Sequence, residues 1–574
     1  MKKLALALAM LAVLVVATTA SAAELDRDKK NSRTVEVQIL AVNDFHGNLD
    51  PPAGSSGRIT TPTGPVDAGG VEYLATHLKQ LEATNPNTVI VSAGDLIGAS
   101  PLISGIFHDE PTIEAANLFG LDLNAVGNHE FDEGETELVR MQEGGCHPTD
   151  VDATCKFGTF GGADFQFLAA NVVKKDTGET LFPGTAVKRF QGASVGFIGM
   201  TLEGTPSIVT PSGITNLTFQ DEADTANAAV QALKRRGVEA IVVLIHEGGI
   251  PTTGTGYNDC ANGISGPILD IVNRTSDEVD LFITGHTHQA YNCVVDGRPV
   301  TSAASFGRLV TDFDLEIERG RRDVQEIRVD NKIVTRTVPK DEGQTALLAR
   351  YSAVVAPIAC EVVGSITANL TRAANPAGES TLGNVIADAQ LAATSDPALG
   401  GAVAAFMNPG GIRADLTTGV TTRCQAAGIP EAPGEVTFDE VFTVQPFGNN
   451  LVTLTLTGAQ ITTLLEQQFD NPAAGQNRVL SPSASVTYTW NAANPVGSRI
   501  MPGSVMINGV PVVATSSYRV TVNSFLADGG DNFSVLPSGS DRLGGEVDTD
   551  AFNAYLGANS PLAPPALGRI TRLN

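Results

Sequence analysis

Through roughly the first 330 residues, short apolar runs of four to six residues recur, each bounded by Gly, Asn or Asp. Val35-Glu36-Val37-Gln38-Ile39-Leu40, Thr88-Val89-Ile90-Val91, Ala240-Ile241-Val242-Val243-Leu244-Ile245 and Val279-Asp280-Leu281-Phe282-Ile283 have the β-branched, apolar make-up of strands. Two of them are essentially unbroken in apolar residues, the pattern of strands buried on both sheet faces. Between the runs, 70–81 and 223–236 repeat apolar residues at helical spacing. Strands alternating with helices predict an α/β domain over 35–335. A polar stretch, 330–342, leads into a predicted joining helix at 343–356, and a second unit is expected over 361–574. Its pattern predicts a helix near 382–393 and strands near 436–441, 451–456, 485–490 and 518–522, with Pro frequent in the loops.

The first residues read differently. Lys2 and Lys3 precede an apolar run at 4–16 and then Ala20-Ser21-Ala22, the three-part pattern of a secretory signal ending near residue 22. The run is short for a bilayer span, and no second run of 18 apolar residues follows. The expected mature chain is exported, to the periplasm or beyond, with no stable membrane insertion. In that setting six cysteines read as three disulfides. Many pairings are possible; the sequential one, Cys146–Cys155, Cys260–Cys293 and Cys360–Cys424, closes the shortest loops and is the one expected.

Composition narrows the function. Of 574 residues, 42% are hydrophobic, enough for a sizeable core, while 63 acidic against 37 basic residues leave a net charge of −26. Such a surface does not bind duplex nucleic acid by neutralising phosphates. If the chain handles phosphate, positive charge must come from elsewhere, and bound metal ions are the obvious source.

The candidate chemistry follows the strands. After the first run comes Asn43-Asp44-Phe45-His46-Gly47 and after the second Gly94-Asp95; 124–126 lead into Gly127-Asn128-His129-Glu130-Phe131-Asp132. The run at 240–245 ends in His246-Glu247-Gly248-Gly249, and that at 279–283 precedes Gly285-His286-Thr287-His288. Any one of these alone reads as a turn with a capping Asp. Together they hold five of the chain's eight histidines. In open α/β sheets the carboxyl ends of strands are where ligand loops converge. Mixed Asp and His suit divalent zinc, manganese, iron or nickel.

Taken as a series, Asp44-x-His46, Gly94-Asp95, Gly127-Asn128-His129-Glu130, His246 and Gly285-His286-x-His288 resemble the metallophosphoesterase superfamily. The words around Asp44 and His129, with Thr381-Leu382-Gly383-Asn384, Asn408-Pro409-Gly410-Gly411-Ile412-Arg413 and Gly529-Gly530-Asp531, resemble the exported 5′-nucleotidase family within it. That resemblance implies an N-terminal metallophosphoesterase αββα sandwich, a C-terminal α/β nucleotide-binding domain, a hinge at the joining helix and an active site between the domains. It implies two divalent metal ions, one held by Asp44, His46, Asp95 and His288, the other by Asp95 as bridge with Asn128, His246 and His286. Such a pair clamps phosphate oxygens and activates water for in-line attack. His129 would stabilise the phosphate, oriented by Asp132. Asn408, Arg413, Phe525 and Asp531 would grip a nucleotide, although Phe525 reads equally well as a core residue and Asp132 as a helix cap.

Two positions depart from the family pattern. The stretch Asn477-Arg478-Val479-Leu480-Ser481-Pro482 lacks the aromatic expected for a second side of a base clamp. Gly378 stands where many members carry Arg, and Arg478 is the candidate to compensate. The implied activity is hydrolysis of nucleoside 5′-monophosphates, with UDP-sugars and 2′,3′-cyclic nucleotides as further substrates. A non-nucleotide phosphoesterase or thiosulfohydrolase, and a non-catalytic nucleotide- or metal-binding protein, are the rival readings.

Overall fold

A computed structural model describes residues 33–574 apart from 53, 210, 253–255 and 262. The expected signal at 1–22 lies outside the described residues.

In the first unit two six-stranded sheets lie face to face. One runs, edge to edge, Asp323–Ile333, Leu309–Glu318, Thr34–Val42, Thr88–Ser92, Leu123–Ala125 and Gln166–Leu168. The other runs Ala290–Val295, Arg298–Ala303, Leu281–Thr284, Ala240–His246, Ala193–Thr201 and Thr185–Phe190. Val37, Ile39, Val89 and Val91 of the first sheet meet Phe197, Val242, Leu244 and Ile283 of the second in one fully buried layer. Ile241, Val243 and Ile245, on the other face of their strand, pack against Val230, Leu233 and Ile268 of outer helices. That double burial is why 240–245 shows no polar alternation. The helices Val71–Glu82 and Glu222–Arg235 cover the outside, the second capped by Asp221, whose carboxylate accepts the Asp224 N–H at 2.8 Å.

The helix Glu342–Ala359 begins at Asp341, which accepts the Gln344 N–H at 3.1 Å. Leu347, Leu348, Tyr351 and Val355 belong to the buried cluster of the first unit. The helix is therefore part of that unit's core rather than a free hinge. Its end, Cys360, is bonded to Cys424 of the second unit. The other bonds are Cys146–Cys155 and Cys260–Cys293, so the pairing is sequential throughout.

The second unit holds a five-stranded sheet in the order Ser481–Pro482, Ala404–Met407, Ser517–Asn523, Asn450–Thr457, Ser540–Val547, and a four-stranded one that includes Val486–Asn491 and Ile570–Leu573. The helix Thr381–Thr394 packs beside them. One expected strand differs. Pairing ends at Thr437, and Phe438–Val444 is a helix, because Thr437 and Glu440 form a reciprocal capping box. A β-branched run thus turns helical under a local start signal.

Candidate metal centre

Five strand ends of the two facing sheets deliver their polar residues to one place. Asp44 and His46 follow Thr34–Val42, Asp95 follows Thr88–Ser92, Asn128 follows Leu123–Ala125, His246 ends its own strand, and His286 and His288 follow Leu281–Thr284. Asp44, His46, Asp95, His286 and His288 all have positive φ, between 47° and 70°. Left-handed backbone in five non-glycine residues is strain concentrated where the chain must aim side chains inward. Gly127 leaves the room they need: a Cβ there would lie 2.2 Å from Asp95 Oδ1.

Ligand atoms of Asp44, His46 and His288 lie within 4.8 Å of one another, and so do those of Asp95, His246 and His286. Asp95 joins the two groups, its Oδ2 being 2.9 Å from His246 Nε2 and 3.5 Å from His46 Nε2. Asn128 Oδ1 is 3.0 Å from His286 Nδ1. His46, Asp95 and His129 form a third converging set. His129 is oriented by its own partner: Nδ1 is bonded to Asp132 Oδ2 at 2.8 Å, leaving Nε2 uncommitted, and its backbone N–H donates to Asp95 Oδ1 at 2.9 Å.

The tautomers are set by backbone. His46 Nδ1 meets the Gly98 carbonyl and His246 Nδ1 the Ala93 carbonyl, each at 2.8 Å. That leaves both Nε2 lone pairs facing the centre, the arrangement typical of metal-ligating histidines. His246 Nε2 is buried and makes no hydrogen bond of its own. Burial holds His46 and His286 down to about 3, so both rings are neutral. Burial also disfavours charge on His246, but Asp95 and Asp44 outweigh it and push the ring up to about 10. Burial pushes Asp44 up to about 7. Facing carboxylates and lone pairs with a proton trapped among them fit a site built for cations.

Glu130, unassigned in the sequence reading, ties the loops together. Its Oε2 accepts the N–H groups of Asp95 and Gly127 at 2.9 and 2.6 Å; its Oε1 accepts Leu96 N–H at 2.9 Å and Asn124 Nδ2 at 3.1 Å. The buried Asp109 carboxylate takes the Gly98 N–H at 2.9 Å and so steadies the carbonyl that orients His46.

The second unit reaches this centre. Arg413 lies half-buried with its guanidinium 5.8 Å above the Phe447 ring, and that ring is stacked on His129 at 5.8 Å and 16°. Burial disfavours the Arg413 charge, while Asp132, Asp95 and Asp44 favour it. Asn408, Asp531 and Phe525 form a neighbouring cluster instead. Asn408 Nδ2 donates to Asp531 Oδ2 at 2.8 Å, and Asn523 Nδ2 to Asn408 Oδ1 at 3.0 Å. Phe525 lies in the short helix Ser524–Ala527, half-buried at the core edge. Phe447, missed in the sequence, is an aromatic in a Pro446-Phe447-Gly448 loop, a context with no core role. Ser524 Oγ to Asn449 Oδ1, 3.2 Å, ties that loop to the one carrying Phe525.

Residues 37–290 match the calcineurin-like phosphoesterase family, and 362–538 match the 5′-nucleotidase C-terminal domain. Endonuclease YhcR of Bacillus subtilis is 31% identical over 93% of this chain, which spans 41% of that protein. Cell wall protein Lmo0130 of Listeria monocytogenes is 32% identical over 91% of this chain, which spans 67% of it. The crystal structure of a 5′-nucleotidase precursor from Thermus thermophilus superposes with a TM-score of 0.73 at 26% identity, covering 94% of this chain and all of that one. With the two matched domains in this order, and the strand-end histidines and carboxylates gathered on the first, the chain belongs to the 5′-nucleotidase family of metal-dependent phosphoesterases.

Proposed function

We propose that the chain is an exported phosphomonoesterase that releases phosphate from nucleoside 5′-monophosphates, with two divalent ions at the strand-end centre. One observation carries the reading: Arg413 and Phe447 of the second unit lie over a centre whose ligands all come from the first. Asp44, His46, Asp95 and His288 would hold one ion, and Asp95, Asn128, His246 and His286 the other. Those ions would supply positive charge against the phosphate oxygens and acidify the attacking water. Arg413 adds a fixed cation on the nucleoside side, a geometry suited to the charge of phosphoryl transfer. Burial opposes charge on His129, but Asp132 and Asp95 raise its pKa, and with Nδ1 committed to Asp132 its proton is delivered from Nε2. Phe447 and Phe525, on tied loops, offer rings for a base, and Asn408 and Asp531 polar groups for the sugar. Export accords with three disulfides and with a relative named for the cell wall.

The test is phosphate release from AMP by the purified chain with added manganese or zinc. Turnover abolished by chelator and restored by metal supports the proposal; no release from AMP under any metal sinks it. A second reading, phosphodiester cleavage, is favoured by the name of the endonuclease relative. It predicts faster turnover of bis(p-nitrophenyl) phosphate than of AMP, and the chain's net charge of −26 weighs against a duplex substrate.

A further inference from the structure

The loop between Asp95 and the helix Glu110–Phe119 ends on two successive left-handed residues, His108 with φ 50° and Asp109 with φ 60°. Non-glycine residues stay in that region only where surrounding contacts hold them there. Asp109 reaches back to the start of the loop, accepting the Gly98 N–H at 2.9 Å and the Ser104 hydroxyl at 2.6 Å. His108 reaches across to a different strand-end loop. Its Nδ1 lies 2.5 Å from Glu133 Oε2, and its Nε2 3.2 Å from Asp150 Oδ2 within the Cys146–Cys155 loop. With a carboxylate at each ring nitrogen, both nitrogens donate and the ring is charged. Its other charged or titratable neighbours are Glu137 and His147, whose ring is stacked on it at 4.5 Å. His108, Glu133 and His147 lie close enough together to suggest a cation site. Rings stacked 16° from parallel do not aim their lone pairs at one point, however, so the group is an ion-pair clamp.

Glu133 directly follows Asp132, in the turn that leads from His129 into the helix Gly134–Glu143. Gly98 presses on the same turn: a Cβ there would lie 2.3 Å from the His129 carbonyl oxygen and 2.9 Å from Asp132 Oδ2. One loop thus touches the His129–Asp132 pair at Gly98 and grips the next residue through His108. We propose that His108 is a positioning residue, its clamp on Glu133 holding the His129–Asp132 turn against Gly98 so that His129 Nε2 keeps its aim. This rests on the phosphoesterase reading above and extends it to a residue whose ring bonds to none of the proposed ligands. As the ester P–O bond breaks, the Nε2 proton passes to the departing oxygen, which matters most for a poor leaving group. The ribose oxygen of AMP needs that proton; the nitrophenolate of p-nitrophenyl phosphate leaves without it.

The test measures kcat and KM for both esters in the metal-loaded full chain, His108→Gln, Glu133→Gln and the double variant. A misaimed ring should lower kcat for AMP roughly tenfold to a hundredfold. KM, metal content and nitrophenyl turnover should stay close to the parent's. The double variant should lose no more than either single one, as expected of two residues acting as a pair. Equal losses on both esters, additive losses in the double variant, or an AMP kcat within about twofold of the parent's would overturn the inference. Glu133 is exposed, so Glu133→Gln decides should His108→Gln not fold. The His129 Nδ1–H proton resonance, identified by its absence in His129→Ala, reports the bond to Asp132 without any substrate. It should weaken in both single variants, and an unchanged signal counts against the clamp. If the native chain turns over neither ester, the functional reading fails and this signal alone decides the positioning role.

Discussion

Replacing Glu130 by Gln exchanges one carboxylate oxygen for an NH2 group with little change of shape. In the structure each oxygen accepts two donors: Oε2 the N–H groups of Asp95 and Gly127, Oε1 those of Leu96 and Asn124. Whichever oxygen is replaced, two buried donors lose their acceptor and face another donor instead. Each such orphan costs about 1–3 kcal/mol, so Glu130→Gln should destabilise the metal-free protein by about 2–6 kcal/mol. Three of the four donors belong to the loops of Asp95 and Asn128, so the proposed ligands themselves should shift. Loss of such outer support weakens metal binding by roughly 10- to 100-fold. Urea unfolding of chelator-treated protein, followed by far-ultraviolet circular dichroism, measures the first effect; competition with a chromophoric chelator measures the second. Stability within about 0.5 kcal/mol of the parent, together with unchanged metal affinity, would refute the claim that Glu130 knots the strand-end loops.

His129→Ala should lower kcat/KM by roughly 10²- to 10⁴-fold while leaving metal content unchanged, checked by steady-state kinetics beside metal analysis. His108, outside the centre, sits between Glu133 at 2.5 Å and Asp150 at 3.2 Å. Burial opposes its charge, but these carboxylates raise its pKa from 6.5 to about 9. The folded state thus holds a proton the unfolded chain releases, so this stabilisation is complete below pH 6.5 and lost as pH rises through 9. His108→Gln should flatten the fall in melting temperature across that window, and an unchanged slope would count against the ion pairs. Opening Cys360–Cys424 by a double Ser substitution frees a loop of 64 residues. Chain entropy puts the loss at about 4 kcal/mol, read by denaturant unfolding, and a loss below about 1 kcal/mol would show that the bond constrains little.

Much of the fold lies open in the chain because its signals are local. The helices Glu222–Arg235 and Thr381–Thr394 and the strands Asn450–Thr457 and Ser517–Asn523 follow from apolar spacing over a few residues. The exception at Phe438–Val444 is also local, since one capping box outweighed strand propensity. Burial on both faces makes 240–245 readable as a central strand. The hairpin Leu309–Glu318 and Asp323–Ile333, by contrast, alternates polar with apolar residues at a sheet edge and gives a weaker signal.

The residues of the candidate metal centre are legible for a topological reason: each follows or ends a strand, and parallel strands carry their carboxyl ends to one side. Sequence alone therefore determined the α/β class, the two-unit order, the family, and the Asp and His types available for a cation. What it could not determine is proximity across units, since no local pattern encodes which loop of 361–574 faces which loop of 35–335. Phe447 over His129 joins the two units, whereas Arg478 beside Asp531 is made within the second unit and the four-donor grip of Glu130 within the first. The last two need only the fold of their own unit and the first needs both units packed, because burial, not sequence neighbourhood, turns an exposed ring, a lone cation or a lone carboxylate into part of a site.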